Sequence, residues 1–388
     1  MKYDFDKVIN RKHTNSIKWD FAAERGMPEG LLPMWVADMD FAAPQEVLDD
    51  IQQAVNHGIF GYTEVKQDYY DILSDWFDKR YGFRFSRQDV VKTPGVVYAL
   101  AACVRALTEP DEAVLIQTPV YYPFYDVIRS NGRRLVTNPL KYVNRKYSID
   151  FADFERRIIE NSVKMFILCS PHNPVSRVWS RSELEHINEI CKRYGVKVVS
   201  DENHCDFVYS PYEHISYGLI DENAVIATSP SKTFNLAGFQ VANIIARNKE
   251  LHRLIRAEIS KTGYSQLNTL GLVACQSAYT YGGKWLEELK GYLEKNIRYT
   301  REFLSERLPK IHLVEPQGTY LLWLDFSAYG LTQTELDRII VEEAGLWLDS
   351  GTMFGKEGEG FQRINIACPR KILETALNSL EKTFAKRV

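Results

Sequence analysis

Short apolar runs alternate with helical segments along much of the chain, and few folds accommodate this pattern. It predicts strands at residues 90–93, 113–117, 164–169, 196–200 and 224–228. Helical patterns lie between them, including residues 96–107, closed by Pro110, and a helix that Ser180 caps and that runs to Tyr194. Strands separated by helices form a buried, mostly parallel sheet with helices on both faces. The sequence therefore predicts an α/β fold.

The chain changes character after residue 249. Residues 250–281 and 285–308 form long helical stretches, and strands are expected at 320–326, 346–349 and 362–367, with helices near 332–344 and 369–385. A chain of 388 residues exceeds the usual size of one core. We therefore predict a large domain at residues 45–284 and a smaller α+β domain built from residues 1–44 and 285–388.

Charge and cysteine usage exclude several classes of protein. A net charge of −3 creates no long-range field that would attract nucleic acid or an anionic membrane. The six cysteines are scattered and form no C-x-x-C pair, which is typical of free thiols in a reducing compartment. The first residues lack the apolar segment of a signal peptide, so a cytoplasmic location is expected. No H-E-x-x-H motif or Cys/His cluster suggests a metal site.

Four polar or aromatic residues follow the ends of predicted strands, where open parallel sheets bind their ligands. They are Tyr121, Asn173, Asp201 and Lys232. Each alone is weak evidence, because an Asp there is often a turn former or helix cap and a Lys is commonly solvated. As a set, an aromatic ring, an amide, a carboxylate and an amine suit a cofactor with a ring, a phenolic oxygen, a ring nitrogen and an aldehyde. Pyridoxal phosphate (PLP) has these groups.

Longer motifs carry a resemblance to a known family. Residues 231–238 (SKTFNLAG), 170–174 (SPHNP) and 200–204 (SDENH) resemble the lysine motif of fold-type I PLP enzymes and the two motifs that precede it. Residues 34–41 (MWVADMDF), 118–124 (TPVYYPF) and 363–367 (RINIA) are similar to the MalY/PatB/cystalysin family of cystathionine β-lyases, which is related to class I/II aminotransferases. The resemblance covers essentially the whole chain and implies the fold-type I architecture.

The resemblance implies a role for each residue at the strand ends. Lys232 would form the Schiff base with PLP and then remove the Cα proton of the substrate. Asp201 would face the pyridine nitrogen and keep it protonated. Asn173 would donate a hydrogen bond to the phenolate oxygen, and Tyr121 would stack on the ring. A core aromatic is the simpler interpretation of Tyr121, but its position after a strand and its motif outweigh that interpretation.

The cofactor phosphate needs donors. Gly95 precedes a predicted helix, so the backbone N–H groups of Val96 and Val97 could bind an anion at the positive end of that helix. Ser229 and Ser231 could add hydroxyl donors.

Two further residues are assigned through the resemblance, and His204 is a candidate because it lies three residues after Asp201. Tyr62 matches a tyrosine that reaches the phosphate from the neighbouring subunit, which implies a homodimer with shared active sites. Arg363 matches the arginine that binds the substrate α-carboxylate, for which a guanidinium offers a bidentate fork. His204 could brace Asp201 or approach the ring, and a structural histidine is an equal alternative. Without the resemblance, Tyr62 would be a packing residue and Arg363 a partner in a surface salt bridge.

The sequence departs from the family at three positions. Gln240 stands where aspartate-type aminotransferases carry an arginine on the phosphate, which favours the lyase branch. Asn203 replaces the usual aliphatic residue. Ser176 replaces a glycine in a turn that needs a positive φ. Residues 355–360 (GKEGEG) lack the spacing of a nucleotide-binding loop, so we expect an active-site lid or a surface loop there.

The resemblance implies an α,β-elimination. Lys232 would take the Cα proton, a sulfur leaving group would depart from Cβ, and the product would hydrolyse to pyruvate and ammonia. Cystathionine, cystine or a related cysteine conjugate would be the substrate. An aminotransferase is the alternative, because it would use the same Lys232, Asp201 and Arg363. An additional regulatory role, with a surface that contacts a transcription factor, is a third hypothesis that leaves no motif.

Overall fold

The computed structural model describes residues 3–387. Its helices are α1 Ile17–Asp20, α2 Gln45–His57, α3 Gln67–Tyr81, α4 Val96–Leu107, α5 Pro123–Arg129, α6 Phe151–Asn161, α7 Arg181–Tyr194, α8 Pro230–Thr233, α9 Lys249–Lys261, α10 Thr269–Tyr281, α11 Gly283–Arg307, α12 Gln333–Arg338 and α13 Arg370–Phe384. Its strands are β1 Leu32–Pro33, β2 Val90–Thr93, β3 Ala113–Thr118, β4 Arg134–Pro139, β5 Lys141–Val143, β6 Lys146–Ser148, β7 Val163–Cys169, β8 Lys197–Asp201, β9 Val225–Thr228, β10 Ala242–Ala246, β11 His312–Leu313, β12 Leu321–Asp325, β13 Leu346–Trp347, β14 Asp349–Ser350 and β15 Phe361–Asn365.

A seven-stranded sheet with the order β2-β10-β9-β8-β7-β3-β4 forms the centre of the structure. Only β10 runs antiparallel to its neighbours β2 and β9, so the predicted mostly parallel sheet is confirmed. The five predicted strands correspond to β2, β3, β7, β8 and β9, whereas β4 and β10 were not predicted. The carboxyl ends of β3, β7, β8 and β9 therefore lie side by side at one edge of the sheet.

Alternate residues of each central strand enter two separate apolar cores, one on each face of the sheet. In β3, Leu115 packs in one core and Ile116 in the other. Helices α4, α5 and α9 cover one face, while α6, α7, α10 and α11 contribute to the core on the other face. Every residue of β3 is buried, which explains why such a strand appears in the sequence as a continuous apolar run.

A second, antiparallel sheet with the order β11-β12-β15-β14 is built from the C-terminal part of the chain. The N-terminal segment joins this part, because β1 pairs in parallel with β13. The strand expected at residues 346–349 is wrong as a single element. The structure divides it into β13 and β14, which belong to different sheets. The predicted domain boundaries at residues 45–284 remain a prediction.

Local signals fix several element boundaries. Ser180 caps α7 as predicted, with its hydroxyl accepting a hydrogen bond from the backbone N–H of Glu183. The helical stretch predicted at 250–281 is interrupted between α9 and α10, where Asn268 caps the second helix.

Among residues 3–387, no helix is long and apolar enough to cross a membrane.

Candidate active site

A cavity of about 350 Å³ opens at the carboxyl ends of the four neighbouring strands β9, β8, β7 and β3. Ten of the twelve predicted site residues line it, namely Gly95, Val96, Val97, Tyr121, Asn173, Asp201, His204, Ser229, Ser231 and Lys232. Arg363 and Tyr62 do not line it. The parallel sheet explains this convergence, because residues far apart in sequence follow strands whose ends meet at the same edge.

Lys232 lies in the short helix α8, directly after β9. Its Nζ donates a hydrogen bond to the carbonyl oxygen of Ala37 at 2.8 Å. The pKa of Lys232 is lowered to about 8, mainly by burial and also by the positive charge of Arg363, while the Asp38 and Asp201 carboxylates partly offset these effects. A usable fraction of the amine is therefore neutral near physiological pH, as a nucleophile or base requires.

Asp201 is the last residue of β8 and is buried. Its Oδ1 accepts a hydrogen bond from the backbone N–H of Asn203 at 3.0 Å. Burial raises the pKa of Asp201 to about 7, while that hydrogen bond and the charge of Lys232 lower it. A cationic group bound in the cavity would hold this carboxylate in its ionised form.

Asn173 connects the cavity to Arg363. Its backbone oxygen accepts a hydrogen bond from the N–H of Tyr121 at 3.0 Å, and its side-chain Oδ1 accepts one from Nη1 of Arg363 at 2.9 Å. The Asn173 Nδ2 makes no hydrogen bond within residues 3–387 that would compete with a ligand. Tyr121 contributes an aromatic ring to the cavity wall, and burial raises the pKa of its hydroxyl.

The amino-terminal end of α4 also lines the cavity. Gly95 precedes the helix with φ of 144°, a conformation that side chains rarely adopt. The N–H groups of Val96 and Val97 lie in the first turn, where no carbonyl of the same helix can accept from them. Ser231 lines the same cavity, so this end presents donors suited to an anion.

Ser229 is engaged by the protein itself. Its hydroxyl donates to Oδ1 of Asn203 at 2.6 Å and accepts from the backbone N–H of Ser231 at 3.2 Å, which caps α8. Because a hydroxyl carries one hydrogen, Ser229 could donate to a phosphate only by releasing Asn203.

His204 is buried beside Asp201, and burial holds the pKa of its imidazole well below the usual value. Its ring lies 5.7 Å from that of Tyr320, at an angle of 65°. Nδ1 is buried and has no hydrogen-bond partner within residues 3–387.

Arg363 lies in β15, deeper than the cavity wall, and is 3% exposed. Besides Asn173, its guanidinium donates from Nη2 to the carbonyl oxygen of Trp35 at 3.0 Å and to Oδ2 of Asp349. The ring of Phe354 lies 4.8 Å from the guanidinium carbon. The surface salt bridge considered as an alternative is therefore wrong, because the ion pair of Arg363 with Asp349 is buried.

The N-terminal segment, residues 34–41, forms part of the site through its backbone. The sequence analysis did not predict this role of the backbone. The carbonyl oxygen of Ala37 accepts hydrogen bonds from Lys232 and from the hydroxyl of Tyr320, the latter at 3.0 Å. Asn365 holds the neighbouring carbonyl oxygens of Val36 and Asp38, both at 2.6 Å. Motif reasoning singled out this segment, but nothing in a sequence indicates which carbonyls will be used.

Tyr62 is 98% exposed and lies away from the cavity of its own chain. Two other large apolar side chains of the same loop, Ile59 and Phe60, are also exposed. A role for Tyr62 at the cavity would therefore have to come from a second copy of the chain.

Residues 355–360 are not a plain surface loop. Gly358 is buried, and its carbonyl oxygen is so close to Gly351 that a Cβ at residue 351 would overlap it. The preceding residue, Phe354, packs beneath Arg363, and its carbonyl oxygen accepts a hydrogen bond from the Tyr125 hydroxyl at 2.8 Å. Phe354, the residue before this stretch, is therefore the one that contacts the arginine.

The departures from the family also have structural positions. Gln240 lines the phosphate end of the cavity, where it brings no positive charge. Ser176 keeps the positive φ of the turn, at 58°, and its hydroxyl donates to the carbonyl oxygen of Leu321 at 2.7 Å. The serine thus preserves the turn that a glycine would form.

The groups around the cavity fit PLP. Lys232 offers an amine for the aldehyde, Asp201 a carboxylate for a protonated ring nitrogen, and Asn173 an amide hydrogen for the phenolate oxygen. The N–H groups that begin α4 suit the phosphate.

Comparisons with known proteins agree with this geometry. The family model of class I and II aminotransferases matches residues 31–380. The chain is 40% identical to cystathionine β-lyase PatB of Bacillus subtilis (strain 168), over 98% of this chain and 100% of that protein. It is 33% identical to protein MalY of Escherichia coli (strain K12), over 97% and 98%. The crystal structure of cystalysin from Treponema denticola, which contains pyridoxal 5′-phosphate, matches with a TM-score of 0.95, 33% identity and 99% coverage of both chains.

Proposed function

The chain belongs to the class I and II aminotransferase family, and on this basis we propose that it is a PLP-dependent carbon–sulfur β-lyase. The substrates would be amino acids of the cystathionine or cystine type. The products would be pyruvate, ammonia and a thiol. Full-length similarity to a cystathionine β-lyase supports this reaction, and so does similarity in both sequence and fold to cystalysin.

One observation carries the proposal. Lys232, with a pKa of about 8, and Asp201, with a pKa of about 7, line the same cavity at the ends of neighbouring strands. Two groups in one cavity whose pKa values are both shifted to near neutrality are expected at a site of proton transfer. Bound PLP would supply the electron sink for the negative charge that develops at the substrate Cα.

The chain's own residues would carry the remaining tasks. Arg363 would hold the substrate α-carboxylate, with Asn173 fixing the guanidinium from the cavity side. The neutral amine of Lys232 would take the Cα proton, and the electron pair left at Cα would form a double bond to Cβ as the C–S bond breaks. The thiolate leaves with the electron pair of the broken C–S bond and takes up a proton. The released enamine would then hydrolyse with one water to pyruvate and ammonia.

Gln240 favours a lyase over an aspartate-type aminotransferase. The aminotransferase would use the same lysine, aspartate and arginine, so these residues do not separate the two reactions. The phosphate end of the cavity presents the neutral Gln240 in place of an arginine. The absence of a keto-acid requirement would distinguish a lyase from an aminotransferase in solution.

We also propose a homodimer in which Tyr62 completes the site of the partner. The exposed loop that carries Ile59, Phe60 and Tyr62 supports this, because adjacent exposed apolar side chains are typical of a contact surface. Mixing a Lys232→Ala variant with a Tyr62→Ala variant tests whether the active site is shared. Hybrid dimers would regain one intact site and therefore activity, whereas monomers or self-contained sites would regain none.

The cytoplasmic location remains a prediction.

The proposed reaction is tested by the visible absorbance of the purified protein and by pyruvate release from L-cystathionine and L-cystine. We expect a PLP band that is lost in Lys232→Ala, and pyruvate without any added keto acid. A band without pyruvate, together with amino-group transfer to a keto acid, would favour the aminotransferase. No band after PLP is added would refute both reactions.

A further inference from the structure

Every hydrogen of the Arg363 Nη2 is already donated to the protein. One goes to the carbonyl oxygen of Trp35 at 3.0 Å, and the other to Oδ2 of Asp349. Nη1 donates one hydrogen to Oδ1 of Asn173 at 2.9 Å, while Nε is buried without a partner within residues 3–387. A guanidinium has five N–H groups, so two hydrogens remain, one on Nε and one on Nη1.

These two free hydrogens lie on different edges of the guanidinium. A carboxylate binds an arginine through two parallel N–H groups, either from Nε and Nη2 or from Nη1 and Nη2. Both edges need a hydrogen of Nη2. A substrate carboxylate can therefore bind Arg363 in this way only if a protein acceptor gives up its hydrogen bond to Nη2.

Asp349 is the acceptor that chemically resembles the substrate group. It lies directly opposite Arg363 across the antiparallel strands β14 and β15, and the two side chains are 2% and 3% exposed. We propose that Asp349 is an internal competitor for the substrate α-carboxylate, which must displace it from Arg363 to bind. This inference rests on the proposed function, because it assumes that Arg363 is the carboxylate-binding residue.

Charge supports the proposal independently of the hydrogen count. The Arg363–Asp349 pair carries no net charge, so the site exerts little attraction on an anionic group. A substrate carboxylate would bring a second negative charge to one buried guanidinium. That carboxylate and Asp349 would then repel each other, because both would lie next to the same arginine. Asp349 therefore weakens the binding of α-carboxylates and makes the site selective for substrates that gain additional contacts elsewhere.

Asp349→Asn tests the proposal, since it removes the charge and keeps the shape. We expect KM for L-cystathionine to fall on the order of tenfold, as for one added hydrogen bond to a charged group. We expect kcat to change little, because the gain applies to the substrate and the transition state alike. Asp337→Asn is the matched control, because this aspartate binds Ser350 and Gln362 in the same region and does not contact Arg363.

A binding measurement separates competition from a supporting role. L-alanine, which has no leaving group, should bind Asp349→Asn more tightly than the wild type, whereas L-alaninamide, which has no carboxylate, should bind both equally. The change in the visible spectrum on titration reports both affinities. Asp349→Ser, whose side chain is too short to reach the guanidinium, should behave like Asp349→Asn, and it provides a second variant if the first does not fold.

Each outcome decides the proposal. Tighter binding of L-alanine alone supports competition. Unchanged or weaker binding in both variants, with the PLP band and melting temperature of the wild type, overturns it and indicates that Asp349 positions Arg363. A wild-type protein without a PLP band would overturn the proposed function and this inference together, which distinguishes the two failures.

Discussion

Replacing Lys232 by methionine should stabilise the PLP-free protein at neutral pH. Burial lowers the pKa of Lys232 from the usual 10.5 to about 8, so the folded state holds its proton less firmly than the unfolded chain. Below pH 8 the amine is charged in both states, and the fold bears the full cost of burying that charge. Above pH 10.5 the amine is neutral in both states, and this cost disappears.

The size of the effect follows from the two pKa values. A difference between 10.5 and about 8 corresponds to about 3 kcal/mol of the free energy of unfolding. Since Lys232 lies at the wall of a cavity that water can enter, we expect about 2 kcal/mol after solvent screening. Methionine has a similar length and no charge, so the variant avoids the cost without leaving a void.

Urea unfolding of the PLP-free wild type and variant at several pH values measures this difference. The variant should be more stable at pH 7, and the gap should close as the pH rises from about 8 to about 10.5. Lys164→Met, which replaces an exposed lysine of β7, controls for the loss of a positive charge. A wild type as stable as the variant at pH 7, or a gap that persists at high pH, would refute the lowered pKa.

Three further changes test other parts of the site. Asp201→Asn removes the carboxylate predicted to face the ring nitrogen. We expect kcat, measured by pyruvate release, to fall by at least about a hundredfold, while the absorbance shows that PLP still binds. Asn365→Leu leaves two buried carbonyl oxygens of the N-terminal segment without their donor, and it should destabilise the protein by about 2–4 kcal/mol in urea unfolding. Gly351→Ala would place a Cβ in steric overlap with the carbonyl oxygen of Gly358, so we expect a loss of more than about 3 kcal/mol and a lower melting temperature.

The central sheet was predictable because its signals are local. Strands such as β3 and β7 are continuous apolar runs, and the helices between them carry capping residues such as Ser180. The strands β4 and β10 were missed. β4 (RLVTNP) contains polar residues and ends in a proline, which weakens the strand pattern. β10 (ANIIA) has an apolar run like those of the predicted strands and was overlooked.

The C-terminal part was less predictable than the central sheet. Residues 346–349 look like one strand, but β13 and β14 pair with different partners, and the choice depends on segments far away in the sequence. Similarly, the helix expected at 332–344 becomes a π-helical turn from residue 339, where packing overrides helix propensity.

The amino-acid sequence by itself determined the fold class and ten of the residues that line the cavity, because each follows a recognisable strand or begins a recognisable helix. Tertiary structure alone decided how they are held: which carbonyl of the N-terminal segment accepts from Lys232, and which acid faces Arg363. Every residue has the same backbone carbonyl group, so the sequence does not indicate which carbonyl will accept a hydrogen bond. The partner of a buried charge is set by the register between strands. Asp349 meets Arg363 because β14 and β15 place them opposite each other, a relation that no local pattern of residues encodes.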